Sequence, residues 1–236
     1  GFPSEEQYPA WTMANLVWGH GGGWSTEWDF STVADQGTQD ALNFAQGAVN
    51  DGWAVVASGD PATAFSSGAI SQVIASTGSL NGILEAADFE VGVGFLPGGP
   101  EATEGVVPTG GAGLAVSAAS TPERQLAATM LAAFLTNAEN TATFSASTGY
   151  LPVQKDADMS AVYAEQPLFE VAVDQLELTR SQDFARVFVP GGDREIARTL
   201  QSILAQGQDV ETSLSTLETT LTGLYDRDLA SIVAAS

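Results

Sequence analysis

The chain has no cysteine, one histidine and one lysine, His20 and Lys155. The first absence excludes disulfides, thiol chemistry and thiolate metal sites. The second excludes any centre built on several imidazoles. The scarcity of cations is broader: seven Lys and Arg stand against 29 Asp and Glu, a formal charge of −22. Such a surface repels nucleic acid and anionic membrane, so neither is expected as a partner, and an anionic ligand must be captured by local contacts. No apolar run is long enough to span a bilayer. The longest, "LAATMLAAFL" from Leu126 to Leu135, is predicted to be an amphipathic helix, and no direct membrane insertion is expected. The chain opens "GFPSEEQ" without methionine or signal peptide, which is read as a processed or excised piece.

What is present suffices for a core. Of 236 residues 44% are hydrophobic, spread along the whole length, which argues against disorder. The first thirty residues are rich in tryptophan and glycine. The apolar spacing then predicts a helix over Thr38 to Asp51, with Ala41, Phe44, Ala45, Ala48 and Val49 on one face. A short helix from Pro61 precedes a predicted strand from Ile70 to Ala75. "EVGVGFLPGGP" and "VVPTGGAGLAVSA" read as further strands, the glycines of the second marking close backbone approach. Thr121 and Pro122 open a helix whose buried stripe is expected to be Leu126, Met130 and Phe134. Two C-terminal helices begin at the caps Asp193 and Asp209. Their inward faces are Ile196, Leu200, Ile203 and Leu204, then Leu214, Leu217, Leu221 and Leu224. Helices alternating with short strands indicate an α/β protein.

Catalytic motifs are missing. There is no Gly-x-Ser-x-Gly elbow, no His-Glu-x-x-His and no phosphate-loop signature. A carboxylate pair for glycoside hydrolysis stays open, because with so many acids some pair always fits the spacing. His20 in "WGHGGGW" could act as a base or as a loop residue bonded to backbone. No catalytic residue, metal or cofactor is assigned. More suggestive is "STGYLPVQ", Ser147 to Gln154, where Gly149 and Pro152 bracket a single tyrosine and fix the direction of its phenol.

The run "VIASTGSL…VGVGFLP…GGAGLAV…STPERQLAATMLAAFLTNAENTATFSASTGYLPV" resembles the extracellular solute-binding proteins of ABC importers, most closely the glycerol-3-phosphate-binding subfamily. The resemblance implies a periplasmic-binding-protein type II-like α/β fold of two lobes, with the first lobe incomplete in this chain. It assigns residues 1–89 and 152–236 to the second lobe and 90–151 to a crossover into the first. It implies capture of glycerol 3-phosphate or a glycerophosphodiester such as glycerophosphocholine outside the membrane, lobe closure on the ligand, and delivery to the transmembrane subunits of an ABC permease. The location implied is extracytoplasmic, in the periplasm or as a surface lipoprotein without its anchor. Carried over residue by residue, the ligand contacts fall on Ser76, Gly111, Tyr150 and Arg186, and on Tyr8 and Trp11 where the family has two tryptophans. Around Arg186 the family's Gly-Leu-Arg-Leu-Gly is replaced by "FARVFVPGGD". A neutral sugar ligand, with Arg186 structural, is the nearest alternative. A carboxylate-based hydrolase and a fragment that does not bind are the others.

Overall fold

Thirteen helices follow one another among the residues described, 1–234, of the computed structural model. The first four are α1 (Pro9–Thr12), α2 (Ala14–Gly19), α3 (Gln36–Asn50) and α4 (Pro61–Ser66). After them come α5 (Leu80–Ala86), α6 (Pro122–Leu135), α7 (Ala138–Thr148), α8 (Ser160–Glu165) and α9 (Pro167–Asp174). The last four are α10 (Phe184–Val187), α11 (Gly192–Gln206), α12 (Val210–Asp228) and α13 (Ala230–Val233). Two short strands, β1 (Val107–Pro108) and β2 (Thr179–Arg180), pair in parallel. The chain divides into two compact units. Unit 1 holds residues 1–75, 95–109 and those described from Glu177 on; unit 2 holds 76–94 and 110–176.

Unit 1 contains the larger core. Ile196, Leu200, Ile203 and Leu204 of α11 and Leu214, Leu217 and Leu221 of α12 are buried together, as their spacing of three and four residues requires for one helical face. Asp209 caps α12 by accepting a hydrogen bond from Thr212 N at 2.8 Å. For α11 the expected cap is displaced: Gly191 takes that place, and Asp193 lies inside the first turn. Ala10, Met13, Val17, Trp24, Phe30 and Val33 close the core from the N-terminal side. In α3 the buried face is Thr38, Ala41, Leu42, Ala45 and Ala48. Phe44, expected inside, is half exposed and packs edge-on against Trp53 at 5.8 Å. Two residues beyond Leu42 is about 200° around the helix, which carries Phe44 to the outer side.

Unit 2 is built from α5 to α9 around a small core of Leu80, Met159 and Phe169. Thr121 and Pro122 begin α6 as expected, yet α6 buries no residue. Leu126, Met130 and Phe134 are each 60% exposed or more. The stripe has helical spacing, but no described residue covers it. The predicted strands at 70–75 and across 90–100 form no ladder, and that of 106–117 is reduced to β1. A strand persists only where a second strand takes its N–H and C=O groups, and among the described residues no ladder forms beyond that of β1 and β2.

Candidate functional site

The six residues singled out by sequence divide between the two units. In unit 1, Tyr8 and Trp11 sit at the start of α1. Tyr8 is in the left-handed region, φ 54°, and its side chain is 67% exposed. A tyrosine rarely adopts this backbone. It is held there because Trp11 N, Thr12 N and Thr12 Oγ1 all donate to the Tyr8 carbonyl, at 3.0, 3.0 and 3.2 Å. Trp11 Nε1 donates to the Thr109 carbonyl at 3.0 Å. The polar edge of the indole is thus satisfied, and its faces remain for apolar contact.

Arg186, on α10, lies with Nε 2.8 Å from Asp193 Oδ1, its side chain 18% exposed. The two atoms form an ion pair by distance, but their angle is outside hydrogen-bonding geometry. The cation expected to meet a phosphate is therefore already shared with a carboxylate, through one of its three nitrogens. No bond joins it to Tyr8 or Trp11 among the described residues.

In unit 2, Ser76 and Tyr150 come together around Gly78. Ser76 begins a turn of 3-10 helix at Thr77–Ser79, its hydroxyl accepting from Gly78 N at 3.2 Å. A methyl group added to Gly78 would lie 3.1 Å from Cζ of Tyr150, so this glycine is the floor against which the phenol ring rests. Phe144 stacks with the same ring, centroids 6.2 Å apart and planes 19° from parallel. Gly149 ends α7 at φ 78° and donates to Ser145 O at 2.9 Å, the turn that aims Tyr150. The phenol hydroxyl bonds to no described residue. Gly111 has φ 124° with open space where a side chain would be. Its glycine is demanded by backbone conformation, and no described residue makes the close approach expected there.

Sequence reading missed one constellation in unit 1. Asp183 is buried, and its Oδ2 accepts from Trp24 N at 2.7 Å and Trp18 Nε1 at 3.1 Å. Its Oδ1 accepts from Arg180 Nη2 at 3.0 Å, and the Arg180 guanidinium stands 4.5 Å above the Trp18 ring. Gln182 Nε2 donates to the same Thr109 carbonyl that receives Trp11. Only the run of tryptophans before Phe30 signalled it, and nothing local tied them to a carboxylate far downstream. His20, the possible base, has Nδ1 2.9 Å from the Leu16 carbonyl, which fixes it to backbone as a donor.

Residues 5–171 match a family model described as bacterial extracellular solute-binding protein. No curated protein matches. Among solved structures, UgpB from Mycobacterium tuberculosis, in complex with glycerophosphocholine, is 41% identical with a TM-score of 0.89. The match covers 97% of this chain and 58% of that one. The sugar-binding protein MalE from Xanthomonas citri is 16% identical, TM-score 0.73, over 95% of this chain and 57% of that one. A cyclic alpha-maltosyl-1,6-maltose binding protein from Arthrobacter globiformis is 16% identical, TM-score 0.67, over 95% and 59%. The last two speak to fold alone. This chain therefore spans less than two thirds of the length of each of these three structures.

Proposed function

This chain belongs to the bacterial extracellular solute-binding protein family and has the fold of the periplasmic binding proteins, and from that premise we propose that it captures a glycerol-phosphate-type solute for an ABC importer. The solute is glycerol 3-phosphate or a glycerophosphodiester such as glycerophosphocholine. The single observation that carries this reading is the 41% identity, over nearly the whole chain, to a protein solved with glycerophosphocholine bound. In this reading Tyr8 and Trp11 offer apolar and aromatic faces to the carbon chain or a choline cation. Ser76, Tyr150 and the backbone at Gly111 supply neutral hydrogen bonds, and Arg186 meets the phosphate. The lobe assignment goes with it, 1–89 and 152–236 to the second lobe and 90–151 to the first. The uncovered face of α6, inside 90–151, supports that assignment as surface made for a covering layer. The chain works extracytoplasmically, hands its ligand to permease subunits and does not turn it over. Among the described residues no helix is long and apolar enough to cross a membrane.

The pairing of Arg186 with Asp193 favours one second reading, a neutral sugar ligand with a structural arginine. A thermal-shift titration with glycerol 3-phosphate, glycerophosphocholine and maltose separates the two. At 100 times its dissociation constant a ligand adds about 2.7 kcal/mol of stability. A phosphate ligand is expected to give this shift, and Arg186→Ala is expected to lose about 2–5 kcal/mol of binding, the loss when one partner of a charge pair is removed. A shift with maltose alone would move the chain to the sugar-binding reading.

A further inference from the structure

We infer that Arg180 is a second anion-binding cation of unit 1, fixed in the strand pair that also fixes Trp11, and that it takes an oxygen of the ligand's phosphate. The inference rests on the phosphate-ligand reading above and adds to it a residue outside the six expected ones.

The two partners of the Arg180–Asp183 pair are treated very differently. The carboxylate is 3% exposed and the arginine side chain 46%. Only Nη2 of Arg180 meets the carboxylate. Oδ2 of Asp183 is occupied by two neutral donors from the tryptophan segment. The negative charge is therefore spread inward, over an indole N–H and a backbone N–H. The guanidinium keeps Nε and Nη1 free of any other acceptor among the described residues. An arginine serving as an ordinary surface counter-ion gains little from being held in one geometry. Stacked on Trp18 and pinned at one corner, this one has a set plane and unused donors, the preorganisation that suits a planar fork to a phosphate.

Its position matters as much. The Arg180 carbonyl accepts from Thr109 N at 3.1 Å, at the end of the β1–β2 ladder. The Thr109 carbonyl in turn holds the Trp11 indole and the Gln182 amide, both at 3.0 Å. One backbone junction thus carries the aromatic wall and the cation together. The need for a second cation is evident from the charge balance. A phosphate approaching a chain of charge −22 would otherwise depend on Arg186, which already shares its charge with Asp193.

Removing Arg180 alone would strand a buried carboxylate, so the test removes the carboxylate first. Isothermal titration with glycerophosphocholine and glycerol 3-phosphate is run on wild type, Asp183→Asn and the double variant Arg180→Gln/Asp183→Asn, with circular dichroism to check folding. Asparagine keeps an acceptor for Trp24 N and carries no charge, so Asp183→Asn is the background in which Arg180 can be removed without stranding a buried carboxylate. The double variant is expected to bind at least tenfold more weakly, and Arg180→Lys in the Asp183→Asn background to recover part of the loss. If Arg180 were only the counter-ion of Asp183, the double variant would lose both charges together and bind within twofold of wild type; that result overturns the inference. Wild type that takes neither phosphate ligand would mean that the phosphate reading itself has failed and the role of Arg180 with it, an outcome told apart by the absence of any binding heat before substitution.

Discussion

Gly149 is required on two separate counts. Its φ of 78° is a conformation that L side chains reach only at a cost of about 1–2 kcal/mol. A Cβ at this position would also stand 2.6 Å from the Thr77 carbonyl oxygen, closer than van der Waals contact permits. Thr77 belongs to the turn that Ser76 caps, so the two halves of the unit 2 cluster meet at this one atom. Gly149→Ala is expected to destabilise unit 2 by about 2 kcal/mol or more and to shift Tyr150 from its seat on Gly78. Urea unfolding measures the first, and loss of ligand response the second. Gly149→Asn separates the causes, because asparagine tolerates the left-handed region but still carries the offending Cβ. Stability recovered in Gly149→Asn would show that conformation alone makes glycine necessary; stability still lost would assign the cost to the contact with Thr77.

At the scale of elements, what distinguishes α11 from α6 is whether a face finds a cover. Ile203 is fully buried in α11, and Ile203→Ala is expected to cost about 2–5 kcal/mol in chemical denaturation. Leu126→Gln on α6, at equivalent helical spacing, is expected to change stability by no more than about 0.5 kcal/mol. A large loss there would mean that the α6 face is covered in solution. The same contrast explains what sequence could tell. The inward residues of α11 and α12 were legible because each helix's apolar face is matched by another in the same chain. For α6 the spacing identified the correct face, but spacing carries no information about what lies over it. The predicted strands failed similarly, since an apolar extended run shows competence for a ladder and not the presence of a partner. In the site, Tyr150 was legible because Gly149 and Pro152 are its neighbours. The Arg180–Asp183 hub was not, because its indole and amide partners lie 165 and 159 residues away. Of the two aspartate caps expected for the C-terminal helices, Asp209 holds its place and Asp193 yields it to Gly191. The Asp209 carboxyl is held below its ordinary 3.8 by hydrogen bonds from the Thr212 side chain and backbone N–H. A group with a depressed folded value stabilises fully above 3.8 and loses that contribution as pH falls through the folded value. The Thr212 amide resonance is therefore expected to titrate below pH 3.8, and in Asp209→Asn this titration should vanish. A midpoint at or above 3.8 would show that the cap does not favour the charged carboxylate.

Over the whole molecule, stability is expected to be distributed as unevenly as the buried apolar residues. Unit 1 encloses a core drawn from α1 to α3 and α10 to α12, whereas the unit 2 core is three buried side chains with partly buried neighbours. Hydrophobic burial is the main favourable contribution to folding, at about 25 cal/mol per Å², so the two cores cannot confer equal resistance to opening. Self-repulsion at a charge of −22 weakens both, and salt screens it over about 8 Å at physiological ionic strength. Added salt should raise the resistance of each unit without changing their order. Hydrogen exchange at backbone amides reads this directly, because protection follows the free energy of the smallest opening that exposes each group. Amides of α11 and α12 are expected to exchange slowest, and those of α6 and α7 faster by orders of magnitude, so that unfolding is not a single two-state transition. A ligand that engages Ser76 and Tyr150 binds best when unit 2 is ordered. Saturating glycerophosphocholine should therefore slow exchange in α7 and at the Ser76 turn more than in α12, whose stability is already supplied by its core. Uniform protection without ligand would show that unit 2 draws on packing beyond its own three buried side chains, and the α6 face would be where to look for it.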